Sequence, residues 1–235
     1  MQFAGREPES DISPGHWVVA ALGRCGLDAL LPPLFPAAAR VLHPAVHYDG
    51  DDDVDVPWSA VARANGTVAH PLMEWGGITG SMDFYDEADQ SPLWEGAPPR
   101  GHLPVHVART LAAVLARHTR TPEDCFFGVW HGFGYIVSER PTLALPGREH
   151  WLVRGPIGLA AVNMAIEPWE QGPNLWFPAD RAWYVVTDID LVSSYVGGSV
   201  ACIAEVLATP GIEAVPAVPG QPVGDDADTV NPPPD

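Results

Sequence analysis

The sequence RAWYVVTDIDLVSSYVGGSVACIAEVLA (residues 181–208) changes from the pattern of a β-strand to that of an α-helix. Over residues 181–191 the side chains of alternate positions suit one buried face, which predicts a strand. After two glycines, Ser199 is a residue type that caps helices, and apolar residues then recur at helical spacing. The buried face of the predicted strand comprises Trp183, Val185, Thr187, Ile189 and Leu191.

Two strand pairs and a helix are predicted upstream of this stretch. Residues 125–138 and 142–155 each contain two apolar runs around a turn, which is typical of a hairpin. The segment LPVHVARTLAAVLARHT (residues 103–119) has an apolar stripe at helical spacing. Because helices come first and hairpins follow, we expect an α+β fold. It would have an antiparallel sheet of about 5–6 strands, with helices mainly on one face.

The composition predicts one folded domain between two flexible terminal segments. Residues 1–12 are polar and are expected to be flexible, and residues 13–215 are long enough for a single α+β domain. Residues 216–235 are rich in Pro and Asp and contain no aromatic residue. Such a segment has little apolar surface to bury, so it is predicted to be a disordered tail.

The charge of the chain limits its partners. Thirty acidic residues accompany twelve basic ones, all of which are arginine, and the net charge is −18. This balance disfavours nucleic acids and anionic membrane surfaces, which bind clustered basic side chains. It favours a basic protein partner, because opposite potentials steer association, although acidity also serves solubility alone.

The expected compartment is the cytoplasm. The three cysteines are far apart and form no CxxC pair, and the first residues lack the layout of a signal peptide. The longest apolar runs are far shorter than a membrane span. No cofactor is expected, because the sequence lacks the GxSxG, HExxH and P-loop motifs.

Asp188 and Asp190 are the candidate catalytic residues. If the strand is regular they lie on one face, where two carboxylates can bind Mg²⁺ or Mn²⁺ together with a phosphate. Nucleotidyltransferases use such a pair, but their Gly-Gly/Ser turn precedes it, whereas Gly197, Gly198 and Ser199 follow it here. The competing interpretation is a solvated strand edge that leads into a helix cap.

Histidines provide a second candidate metal site. His43 with His47 and His102 with His106 have the i, i+4 spacing that can share a zinc ion on a helix. A proline lies inside each pair, so neither pair can occupy a helix interior. A zinc site built from both pairs is therefore the weaker alternative to a protein without bound metal.

An acidic run and the aromatic residues are the candidate binding features. The run DGDDDVDVP (residues 49–57) lacks the Gly and Glu that a calcium-binding EF-hand loop requires. It is either a solvated loop or a surface for a basic partner. Aromatic side chains dominate many interfaces, so the strand region also supplies candidates. The binding residues are predicted to be Asp51, Asp52, Asp53, Asp55, Trp130 and Tyr195.

Four segments carry a resemblance to a family of uncharacterised actinobacterial proteins, which covers most of residues 15–215. They are FPAAARVLHPA, WSAVARANGTVAHPLMEW, TPEDCFFGVWHGFGY and NLWFPADRAWYVVTDIDLVSSYVGGS. This resemblance implies a source class and no activity. The segment GLDALLPPLFPAAARVLH also resembles the opening of SUKH (SMI1/KNR4-like) domains. That local resemblance implies an α+β fold and a toxin-binding, immunity-like role.

Three functions follow from these features. The favoured one is a non-catalytic interaction protein, immunity-like, whose acidic surface binds a basic partner. The first alternative is a metal-dependent transferase or hydrolase that uses Asp188 and Asp190. The second alternative is a small-ligand-binding protein with a tryptophan-lined pocket.

Overall fold

A computed structural model describes residues 2–50, 52–81 and 93–231. Ten strands and five α-helices lie in these ranges. The strands are β1 (Ala37–Leu42), β2 (Ala45–Asp49), β3 (Asp52–Val56), β4 (Cys125–Trp130), β5 (Leu143–Leu145), β6 (Arg148–Gly155), β7 (Leu175–Pro178), β8 (Tyr184–Val186), β9 (Ser193–Gly198) and β10 (Ala214–Ala217). The helices are α1 (His16–Ala21), α2 (Trp58–Asn65), α3 (Trp75–Thr79), α4 (Val105–Leu115) and α5 (Val200–Ala208). Single 3₁₀ turns lie at Ser13–Gly15, Gly26–Ala29, Ala116–His118, Ile157–Ala161 and Asp225–Ala227.

The central element is an antiparallel sheet of eight strands in the order β10-β1-β9-β8-β7-β4-β6-β5. The α+β class with a large antiparallel sheet is confirmed, and the expected 5–6 strands are too few. The sequence does not reveal strands such as β1, whose pairing partners are distant in the sequence. β1 lies between β9 and β10, which follow it by more than 150 residues.

Strand alternation gives the sheet two buried faces. In β4, Phe127 and Val129 belong to one apolar cluster and Phe126 belongs to the other. Helices α4 and α5 cover the first face, where α4 buries Val107, Leu111 and neighbouring residues of its predicted stripe. Val18 of α1 and the following turn cover the second face. Helices therefore lie on both faces, with the two longest ones together.

A third apolar cluster joins α2, α3 and the hairpin of β2 and β3 to one end of the sheet. A buried ion pair fixes this unit in place. The Arg40 guanidinium on β1 donates two 2.9 Å hydrogen bonds to the carboxylate of Glu74, and it also donates to the Met73 carbonyl and the Ser193 hydroxyl. Its charge lies 5.5 Å from the Trp58 ring centre. Every polar group of this arginine is thus satisfied, which burial requires.

The strand predicted over residues 181–191 is shorter in the structure. β8 ends at Val186, and Asp188 lies in a turn in which its carbonyl accepts from the Leu191 N–H. Its side chain also accepts from the Asp190 N–H, a local bond that competes with strand pairing. Asp188 and Asp190 therefore do not share a strand face. The helix start is confirmed, because the Ser199 hydroxyl accepts from the Cys202 N–H.

Both ends of the described chain pack against the domain. Phe3 is buried and meets the Trp151 ring edge-on at 5.5 Å, although residues 1–12 were expected to be flexible. Residues 214–217 form an edge strand, and the segment expected to be a disordered tail continues in contact as far as residue 231. Asp228 and Asn231 are buried there by hydrogen bonds rather than by apolar contact. Among the described helices, none is long and apolar enough to cross a membrane.

Candidate functional site

A cleft of about 510 Å³ opens between the β2–β3 hairpin, the start of α4 and the segment 160–172. It contains two of the predicted binding residues and one histidine pair. The polar side chains that line it are Asp53, Asp55, His102, His106, Asn163, Glu170 and Gln171, and Tyr48 adds an exposed aromatic ring.

Backbone contacts with residues 95 and 96 place the hairpin at this cleft. Val46 and Gly96 exchange two backbone hydrogen bonds of 2.8 and 2.9 Å, so the hairpin is tied to a neighbouring loop. A side chain at position 96 would lie 2.9 Å from the Tyr48 hydroxyl, which makes glycine the residue that fits. The Tyr48 N–H donates a further hydrogen bond to the Glu95 carboxylate.

The cleft is strongly acidic. Asp53 and Asp55 are two residues apart on β3, so their side chains lie on the same side of the hairpin. Glu170 reaches the cleft from the opposite wall, and no arginine is among the described residues that line it. These three carboxylates are exposed, and only Asp55 has an ion-pair partner in the cleft, namely His106 at 2.7 Å.

The four histidines of the two pairs differ in their burial and in the groups that they contact. His43 is fully buried, with Nδ1 at 2.6 Å from the Pro99 carbonyl and Nε2 at 2.9 Å from the Ser194 hydroxyl. Burial lowers the pKa of His43 to about 3 and also lowers the pKa of His102, which the Glu170 carboxylate partly offsets. His47 and His106 instead contact carboxylates, those of Glu95 and Asp55.

Potential metal ligands do not converge in the described part of the chain. No group of three His, Cys, Asp or Glu side chains is arranged there to hold a metal ion. Asp188 and Asp190 both contact the Arg148 guanidinium, Asp190 at 2.6 Å and Asp188 at 3.5 Å. Arg148 lies 40 residues from Asp188 in the sequence and reaches the pair from the start of β6. Its charge also lies 5.7 Å from the Trp130 ring centre.

Ser194 and His43 have the spacing of a nucleophile and its base. The Ser194 hydroxyl lies 2.9 Å from His43 Nε2, and the Pro99 carbonyl orients the other ring nitrogen. Ser194 is 0% exposed, however, and it also contacts the Thr187 hydroxyl at 2.5 Å. Since a substrate cannot reach it, this group is a buried polar network and not a catalytic site.

The other predicted binding residues lie in different places. Tyr195 is 1% exposed inside the second apolar cluster, so its ring does not reach a surface. Trp130 is half-buried beneath Arg148. Asp52 is the first residue of β3, and Asp51 lies outside the described residues. Two residues of the predicted set, Asp53 and Asp55, therefore belong to the cleft.

Sequence reasoning missed the far wall of the cleft. Glu170, Gln171 and Asn163 carry no motif, and they lie more than 100 residues from the acidic run. Only the tertiary structure brings them opposite Asp53. The exposed apolar residues of the cleft, Tyr48 and Val105 among them, also carry no signal in the sequence.

An apolar cavity of about 380 Å³ is a second concave feature. It lies between α5, the β1–β10 edge and residues 27–36. Leucine, isoleucine, phenylalanine and proline side chains form most of its wall, and Asp28 is the one charged residue that lines it among the described residues. It contains no tryptophan, and six of the nine tryptophans are buried in the first and third apolar clusters.

Comparison of the chain with protein-family models, with curated proteins and with solved structures finds no match. The resemblances to an actinobacterial family and to SUKH domains therefore stay predictions.

Proposed function

We propose that this protein binds a basic segment of a partner protein in the acidic cleft. One observation carries the proposal: Asp53, Asp55 and Glu170 line a cleft of about 510 Å³ that also exposes the apolar side chains of Tyr48 and Val105. A segment with both cationic and apolar side chains complements this surface. The net charge of −18 supports it further, because it attracts a cationic partner from a distance.

The expected affinity is modest. Exposed ion pairs contribute about 0.2–1 kcal/mol each, so three carboxylates provide orientation and association rate more than binding energy. The apolar side chains of the cleft must supply most of the remainder. We therefore expect dissociation constants on the order of micromolar. The affinity should fall as the salt concentration rises, because salt screens the charges.

A labelled peptide tests the proposal. The probe is an eight-residue peptide with five lysines and three leucines, and its binding is followed by fluorescence anisotropy at low salt. Removal of two carboxylates by Asp53→Asn with Asp55→Asn should weaken binding about five- to tenfold, which follows from two lost pairs of about 0.5–0.7 kcal/mol each.

A matched control removes equal charge elsewhere. Glu123→Gln with Glu139→Gln replaces two exposed carboxylates that do not line the cleft, and it should change the affinity less than twofold. Equal losses in the two double variants would show that net charge, and not the cleft, attracts the peptide. That result would refute the proposal.

The immunity-like role is the biological form of this proposal. Its support is the resemblance to SUKH domains together with the acidic cleft. If the basic partner is a toxin, a toxin gene should lie beside the gene for this protein, and the purified toxin should lose activity on binding. A toxin that stays fully active in the complex would contradict this role.

A small apolar ligand is the second candidate. The observation that favours it is the cavity beside α5, whose volume of about 380 Å³ lies in the range of ligand pockets. An uncharged apolar fluorophore should bind there, and Ala204→Trp should block it because the new ring fills the cavity. Unchanged fluorophore binding in this variant would locate the ligand elsewhere.

A further inference from the structure

An exposed stack of aromatic rings lies beside the acidic cleft. The rings of Trp169 and Tyr135 are nearly parallel, with an interplanar angle of 11° and centres 5.1 Å apart. Phe133 stacks on the other side of Tyr135 at 5.4 Å. Trp169 is 53% exposed, which is unusual for the largest apolar side chain in a protein whose other tryptophans are mostly buried.

This surface is continuous with the cleft. Asn163, which lines the cleft, donates a 2.8 Å hydrogen bond to the Trp169 carbonyl, and its side-chain oxygen accepts from the Gln171 N–H. The Tyr135 hydroxyl contacts the Gln171 side chain at 3.4 Å. The loop that carries Trp169 is thus held to the cleft wall by hydrogen bonds at both of its ends.

Two carboxylate residues lie close to Trp169 in the chain. Glu170 follows Trp169 and lines the cleft, and Glu167 is exposed in the same loop. An aromatic face with adjacent negative charge suits a cation better than a neutral apolar side chain. Among protein cations, the guanidinium of arginine is planar, stacks on aromatic faces and is weakly hydrated, whereas the lysine ammonium is compact and strongly hydrated.

We infer that Trp169, Tyr135 and Glu170 form a site for an arginine side chain of the basic partner, with the guanidinium stacked on Trp169 and paired with Glu170. This inference rests on the proposed function, since it names the residue that the partner presents beside the cleft. Tyr135 covers one face of the Trp169 ring and keeps the ring in place. The acidic cleft itself then binds the rest of the segment.

The test compares two peptides of equal charge. The first is the lysine–leucine peptide described above, and the second has arginine in place of each lysine. The wild-type protein should bind the arginine peptide about fivefold more tightly, which matches the contribution of one exposed cation–aromatic contact. In Trp169→Ala the ratio of the two affinities should fall below about twofold, through loss of arginine-peptide binding alone.

Control variants distinguish the contribution of the arginine site from that of the acidic cleft. Trp169→Phe should keep the arginine preference in part, and Leu34→Ala, which removes another exposed apolar side chain, should leave both affinities unchanged. The pair Asp53→Asn and Asp55→Asn should weaken both peptides alike. Equal affinities of the wild type for the two peptides, or a ratio that Trp169→Ala leaves unchanged, would overturn the arginine site but leave the cleft intact. Failure of both peptides to bind would overturn the proposed function as well.

Discussion

Two buried histidines, His43 and His150, should lower the free energy of unfolding of this protein as the pH falls from 7 to 5. Burial lowers the pKa of His43 to about 3, and it lowers the pKa of His150 to about 3 as well, with the Arg148 charge as a smaller cause. In the unfolded chain both imidazoles regain an ordinary pKa near about 6.5. As pH falls below that value, the unfolded state binds protons that the folded state does not, so acid favours unfolding.

The size of the effect follows from this difference. At pH 5 an unfolded histidine with a pKa of about 6.5 gains about 2 kcal/mol from protonation, and a folded one with a pKa of about 3 gains almost nothing. Two such residues reduce the free energy of unfolding by about 4 kcal/mol. A domain of this size is commonly stable by about 5–15 kcal/mol, so the loss is large. The stabilisation is complete above pH 6.5 and continues to fall until pH 3.

Carboxylates contribute little to the change in the free energy of unfolding between pH 7 and pH 5. The pKa values of Asp124, Asp180, Glu205 and Asp228 are lowered, mainly where hydrogen bonds or arginine side chains hold the charged form. Groups with a lowered acid pKa lose their stabilising effect only below about pH 4. The change between pH 7 and pH 5 therefore reports mainly on histidine.

The assay is urea unfolding at pH 7 and pH 5, followed by tryptophan fluorescence. His150→Leu is the informative variant, because Nδ1 of His150 has no hydrogen-bond partner among the described residues. It should reduce the pH-dependent loss by about 2 kcal/mol. Val153→Ala on the same strand should lower stability at both pH values and leave the pH dependence unchanged. A wild-type loss below about 1 kcal/mol, or an unchanged loss in His150→Leu, would refute the reasoning.

Three further outcomes are expected. Glu74→Gln should reduce the free energy of unfolding by about 3–5 kcal/mol, because it leaves the buried charge of Arg40 uncompensated. Gly77→Ala should release the last described residues to proteases, since the new methyl group would lie 2.2 Å from the Asn231 carbonyl. Cys25 is exposed and should react with thiol reagents in the folded protein. The two buried cysteines, whose pKa burial raises to about 12, should react only on unfolding.

Simple controls accompany these three experiments. Glu7→Gln breaks the exposed pair of Glu7 with Arg140 and should cost less than about 1 kcal/mol. Equal costs for Glu7→Gln and Glu74→Gln would contradict the role assigned to burial. Gly134→Ala, where a methyl group would meet no atom of the described residues within 4 Å, should leave proteolysis unchanged. Labelling of all three cysteines at one rate in the folded protein would contradict the thiol prediction.

The elements that the sequence predicted correctly are those with local signals, whereas the hairpin expected over residues 125–138 does not form, because β4 pairs with β6 and β7 instead. The hairpin of β5 and β6 is confirmed because its two strands are adjacent in sequence and a glycine allows the turn. The Ser199 cap and the α4 stripe likewise depend on neighbouring residues alone. Such signals do not require knowledge of the rest of the chain.

By itself, the sequence determined the α+β class, these local elements and the acidity of residues 49–55. Only the tertiary structure decided that alanine-rich β1 is an inner strand of the sheet, paired on both sides, because its partners in β9 and β10 are distant in sequence. It also decided the cleft, since Glu170 faces Asp53 only after the chain has folded. The physical reason is common to both cases. Helix caps and apolar periodicity depend on residues that are near neighbours in the sequence. Sheet pairing and the two walls of the cleft depend on contacts between distant segments, which no short segment contains.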